Sequence, residues 1–143
     1  MRLNIAKAED QTIEGYENIL ADKDVVENVE KIINNSCTEI LCLNALENLP
    51  QQIGMNLLPR LVNKVRNNGV FKIAGLDFKA LSNSYINDKI STKEVNEALS
   101  NISTIYDYLE IARNLQESEF LVETLVLKGQ TFQIQAKRVR NNA

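Results

Sequence analysis

The sequence predicts an α/β fold: a mostly parallel central sheet with helices on both faces, finished by a C-terminal antiparallel β-hairpin. Three observations predict it. Residues 38–43 and 70–76 are nearly unbroken apolar runs, the pattern of strands buried on both faces of a parallel sheet. Between and after them, apolar residues recur at helical spacing. Residues 120–127 and 131–137 then alternate or run apolar around Lys128-Gly129-Gln130, two strands joined by three residues that include a glycine. Strands that alternate with helices pair in parallel, and the hairpin must add an antiparallel strand at one end.

Taken in order, Leu3-Asn4-Ile5 is a short strand, Gly15-Tyr16 a turn, and residues 16–20 a second strand. Residues 22–34 are polar, with Val25, Val26, Val29, Ile32 and Ile33 spaced for either a short helix or a strand edge. After the strand at 38–43, Leu46, Leu49 and Pro50 make a short helical turn stopped by the proline. From Asn56, the residues Leu57, Leu58, Leu61, Val62 and Val65 form one face of a helix, with Pro59 in its first turn, where a missing N–H costs little. Asn67-Asn68-Gly69 supplies its left-handed cap. The strand at 70–76 carries Asp77 at its carboxyl end. Ser91-Thr92-Lys93-Glu94 is a capping box opening a helix with Val95, Ala98, Leu99 and Ile102 inward. A further helix carries Ile105, Tyr108, Leu109, Ala112 and Leu115. No repeat or linker divides residues 1–143, so one domain is expected.

Composition narrows the function classes. With 44% hydrophobic and 24% charged residues the chain can build a core. A net charge of −3 and a pI near 5.1 argue against general nucleic-acid binding. The only basic cluster, Lys137, Arg138 and Arg140, reads as a solvated chain end. No apolar run is long enough to span a membrane and no secretory leader precedes the first strand, so a cytoplasmic protein is expected. Cys37 and Cys42, five apart on one strand, point to opposite faces and read as buried thiols, neither a disulfide nor a metal pair. Histidine is absent, which removes imidazole catalysis and the commonest zinc ligand.

Several motifs, in this order and spacing, resemble the small class I S-adenosylmethionine (SAM) methyltransferases. Met1-Arg2-Leu3-Asn4-Ile5 looks like their opening strand. Glu14-Gly15-Tyr16-Glu17-Asn18-Ile19 resembles the second-strand signature, and Thr38-Glu39-Ile40 the start of the fourth strand. Leu46-Glu47-Asn48-Leu49-Pro50 resembles the Leu-Glu-His-Leu-Pro that follows it. Residues 61–69 resemble the helix that ends in a Gly-Gly pair, and Leu76-Asp77 the Pro-Asp after the fifth strand. The resemblance covers residues 1–137. It implies a Rossmann-like, seven-stranded type of sheet with its last strand antiparallel and an abbreviated third strand. Small methyltransferase-like proteins are frequent in phage genomes, and the abundance of asparagine, isoleucine and lysine fits an A/T-rich bacterial or viral source.

The resemblance fails at the cofactor. The family's first loop uses glycines so that the backbone can approach the ligand or visit positive φ. Here Ile5 is followed by Ala6, Lys7, Ala8, Glu9 and Asp10. A non-glycine residue forced into the left-handed region would cost about 1–2 kcal/mol, and its side chain would occupy ligand space. Leu20 stands where the family places an acid for the ribose hydroxyls, and Asp22 lies about 7 Å further along an extended chain. Asn48 replaces the family's histidine, and Glu119 a glycine before the sixth strand.

Candidate residues carry a chemical and a plainer reading. Glu47 and Asp77, at carboxyl ends of parallel strands, could act as acid or base in a remodelled cleft; as helix N-terminal carboxylates they would be stabilised by the helix dipole. Tyr106 could stack on a substrate, whereas Tyr108 lies on an apolar face and reads as core. Asn44 stands where some methyltransferases hold a substrate amine, or simply forms a turn. The expectation is therefore a methyltransferase-like pseudoenzyme with a degenerate pocket at Ile5, Ala6, Lys7, Ala8, Leu20, Asp22 and Asn44. It would hold no cofactor and no metal and would bind a protein partner or a second copy, in a virion if viral. The alternative is an active SAM-dependent methyltransferase in which Lys7 replaces glycine-loop contacts, with a cavity above Ile5, Ala6 and Asn44. A third class, nucleic-acid binding through residues 137–143, is disfavoured by the acidic pI.

Overall fold

A computed structural model describes residues 1–139. Strands β1 (Arg2–Ala6), β2 (Glu17–Leu20), β3 (Cys37–Leu43), β4 (Val65–Leu76), β5 (Phe120–Lys128) and β6 (Thr131–Arg138) form one sheet in the order β2-β1-β3-β4-β6-β5. The first four run parallel; β6 is antiparallel to β4, and β5 antiparallel to β6. The mostly parallel sheet with its C-terminal antiparallel hairpin is as expected. Among the described residues no strand lies outside β2, so the abbreviated third strand is absent altogether.

The cross-strand registers put Leu3, Ile5, Ile40, Cys42, Phe71, Ile73, Phe132, Ile134 and Ala136 on one face. All nine belong to a single buried cluster. Helices α1 (Val25–Glu30), α2 (Gln51–Lys64) and α5 (Tyr108–Glu117) add Val25, Val29, Leu57, Leu61, Ile111 and Leu115 to it. The stretch whose spacing fitted either helix or strand is thus the helix α1. The opposite face is covered over β1 by the loop carrying a 3-10 turn, Glu9–Gln11, and presents the half-buried Lys72 and Gln135 further along.

Several expectations need correction. Helix α2 starts at Gln51, not Asn56, because Pro50 sets an extended φ/ψ before it and its carbonyl accepts the Gly54 N–H. Pro59 therefore sits mid-helix; the carbonyl it leaves unpaired belongs to Met55, which is exposed to water. Asn67-Asn68-Gly69 does not cap the helix. The chain passes straight into β4, and a bulge there takes up residues 66–69 between the Cys37–Val65 and Glu39–Val70 pairs. Asn68 supplies the left-handed φ of 65°, while Gly69 is needed for space: a Cβ there would lie 2.9 Å from the Cys37 carbonyl.

Helix α3 (Phe78–Ile86) was not foreseen, although Phe78, Leu81 and Tyr85 are helically spaced behind the Asp77 cap. Helix α4 (Thr92–Leu99) has the expected capping box, yet Val95, Ala98, Leu99 and Ile102 are only partly buried. Ile105 precedes α5 and is exposed, as is Leu109. The hairpin loop is two residues, since Lys128 pairs with Thr131. Arg138 is not a solvated end: it is buried, donates to the carbonyls of Val62 and Val65, and lies over the Phe120 ring. Arg140 lies outside the described residues.

Candidate functional site

The carboxyl ends of β1, β3 and β4 gather the candidate residues. At β1, Ile5 and Ala6 are buried and Lys7 and Ala8 exposed. No residue from Ala6 to Glu14 has a positive φ, and Ala8 is extended at φ −150°. The strain expected of a glycine-type loop is therefore not incurred, because the loop takes a different course. It is tied down from beneath. Buried Asn4 donates through Nδ2 to the Gln11 carbonyl and to Asn18 Oδ1, both at 3.0 Å. Asn18 Oδ1 also accepts the Ile13 N–H, and its Nδ2 donates to the carbonyls of Ile13 and Tyr16. This clamp leaves a cleft of about 200 Å³ lined by Asn4, Ile5, Ala6, Gln11, Ile13, Leu43 and Asn44.

Leu20 and Asp22 do not join it. They line a separate depression of about 570 Å³ along the outer edge of β2, with Asn28, Lys31 and Ile33. The Asp22 carboxylate is turned back to accept the Asp24 N–H. Asn44 is exposed, adopts a left-handed φ of 57°, donates its N–H to the Ala74 carbonyl, and accepts from Asn48 Nδ2 through its own carbonyl.

At β3 and β4 the two candidate carboxylates have different surroundings. Asp77 is 1% exposed and fully engaged: Oδ2 accepts the Ala80 N–H as the cap of α3, and Oδ1 accepts the Tyr108 N–H. Glu47 points inward and is no helix cap. Its Oε2 accepts the Leu76 N–H at 2.7 Å and fills the space over Gly75, where any Cβ would collide with it. Burial raises the Glu47 pKa, against the Leu76 N–H and the nearby Lys7 charge, which lower it.

Tyr106 and Cys42 share this neighbourhood. Burial, with the charges of Cys42 and Glu47, pushes the Tyr106 phenol up to about 12. Its hydroxyl is buried without a hydrogen-bond partner and packs over Gly54, which cannot gain a Cβ without a clash. Burial likewise takes the Cys42 thiol up to about 12. A cleft of about 380 Å³ between α2 and α5 opens beside Gly54 and Tyr106. Asn4, Asn18, Cys42, Gly54 and Gly75 were not singled out as site residues. Asn4 and Asn18 had a signal, as parts of the first- and second-strand motifs. Among the described residues no group of three or more acidic or thiol side chains is placed to hold a metal, and no helix is long and apolar enough to cross a membrane.

Strand order and the antiparallel β6 match a class I SAM-dependent methyltransferase-like fold. Solved structures agree. The chain is similar to a SAM-dependent methyltransferase from Methanosarcina mazei, at 10% identity over 98% of this chain and 92% of that one, with a TM-score of 0.64. It is similar to another from Archaeoglobus fulgidus, at 12% identity over 96% and 85%, with a TM-score of 0.62. A putative methyltransferase in complex with the Haloferax volcanii Trm112 activator is similar at 9% identity over 92% and 65%, with a TM-score of 0.58. The chain spans only 37% and 38% of two larger neighbours. No protein-family model and no curated protein matches the sequence.

Proposed function

We propose that this chain keeps the methyltransferase fold without its cofactor and works as a binding or structural subunit. The observation that carries this reading is the cleft above Ile5, Ala6 and Asn44. At about 200 Å³ it is smaller than the roughly 300 Å³ at which small-molecule sites begin. The Asn4–Asn18 clamp holds Gln11 and Ile13 against it, where the family keeps bare backbone. The ribose end fares no better, because Leu20 accepts nothing and the Asp22 carboxylate caps its own turn. A protein partner is in keeping with the Trm112 complex of the Haloferax neighbour, and a virion component is one form such a subunit could take.

Isothermal titration with SAM and S-adenosylhomocysteine tests the proposal. No heat of binding is expected up to millimolar ligand. Micromolar affinity would overturn it in favour of an active enzyme, with Lys7 placed to meet the cofactor carboxylate and Glu47 as the acid or base.

A further inference from the structure

We infer that β5 is the interface of a two-fold dimer, in which two copies of this chain join their sheets edge to edge. The inference is independent of whether the cofactor cleft is occupied.

Strand β5 is the outermost strand beyond β6, and from Leu121 onward it holds exposed apolar side chains on both faces. Leu121 is 56% exposed, Leu125 39%, Val126 47% and Leu127 45%. Leu125 and Leu127 pair with the buried Ile134 and Phe132, so they extend the core face of the sheet past the last helix that covers it. A monomer would leave this apolar edge in water, with little of the usual protection. It has no proline, and Lys128 at its far end is its only positive charge. Its one bulge lies between Val122 and Thr124.

The geometry commits the strand to a second copy of itself. The bulge leaves residues 124–128 as its regular part, and Val126 is the centre of that stretch. The two-residue hairpin makes Lys128–Thr131 a hydrogen-bonded pair, so Val126 also bonds inward to β6 while Leu125 and Leu127 direct their N–H and C=O groups outward. A two-fold axis perpendicular to the sheet at Val126 then sets Leu125 opposite the partner's Leu127, and Leu127 opposite the partner's Leu125. All four outward N–H groups find carbonyls. Four leucines close over one face, and the two Val126 side chains meet on the other. Lys128 falls opposite the partner's Thr124 and beside the partner's Glu123, so opposite charges adjoin at both ends and like charges nowhere. Centring on Leu125 instead would set Leu127 against the bulged Glu123 and lose this match.

Sedimentation velocity and disulfide trapping test the register. The wild type is expected to sediment as twice 16.2 kDa at tens of micromolar. Leu127→Lys should weaken association at least tenfold with an unchanged circular dichroism spectrum. Val126→Cys, placed next to its own symmetry mate, should form a covalent dimer on mild oxidation, whereas Leu121→Cys should not. The wild type should form none, because Cys37 and Cys42 are buried. A monomer across the whole range, a dimer indifferent to Leu127→Lys, or equal trapping at positions 121 and 126 would each overturn the inference. The trapping result stands even if Leu127→Lys fails to fold.

Discussion

Glu47 shows how far a carboxylate's role depends on its immediate surroundings. Burial holds its pKa above the ordinary value, so the folded chain binds that proton more readily than the unfolded chain. The associated stability is complete below the ordinary carboxylate range and is lost as pH climbs from there through the raised value. Gln keeps an oxygen for the Leu76 N–H and cannot ionise. Glu47→Gln should therefore match the wild type near pH 4 and exceed it at neutral pH, as urea unfolding between about pH 4 and about pH 8 would read. Parallel pH profiles for the two proteins would remove Glu47 as the source. From sequence, Glu47 and Asp77 were an equivalent pair at strand ends. Only the packing distinguishes them, because Asp77 spends both oxygens on helix N-termini and Glu47 goes inward over Gly75.

Between elements, the junctions proved harder to read than the elements themselves. The apolar strands and the Ser91 capping box were legible because period and cap chemistry are local properties. The bulge in β4 was not, since it depends on where β3 runs; the start of α2 is marked locally, by Pro50. The turn from α5 into β5 is instructive. Glu119 stands where the family resemblance implies a glycine, and its φ is 67°, so the backbone makes a left-handed turn with a side chain attached. Glu119→Gly should raise stability by about 0.5–1 kcal/mol, the steric relief being partly offset by a more flexible unfolded chain. Chemical denaturation would measure it, and a loss of stability would mean that the Glu119 side chain contributes more than the turn costs.

For the molecule as a whole, the fold class was legible because alternating apolar strands and amphipathic helices admit few arrangements. The candidate site was only half legible. The missing glycines were visible, but the Asn4–Asn18 clamp that shapes the loop in their place is a pair of side chains fourteen residues apart. Since one buried cluster on one sheet face joins α1, α2 and α5, the described residues should unfold as a unit. Far-UV circular dichroism and tyrosine fluorescence should give a single coincident urea transition; two separate midpoints would split the chain into independent parts. One contact within that cluster's rim also restricts how this lineage can change. The carboxylate of residue 47 occupies the volume that any side chain at residue 75 would need. An alanine at 75 would therefore push the residue 47 carboxylate from its place beside the Leu76 N–H, so a change at either position is felt at the other.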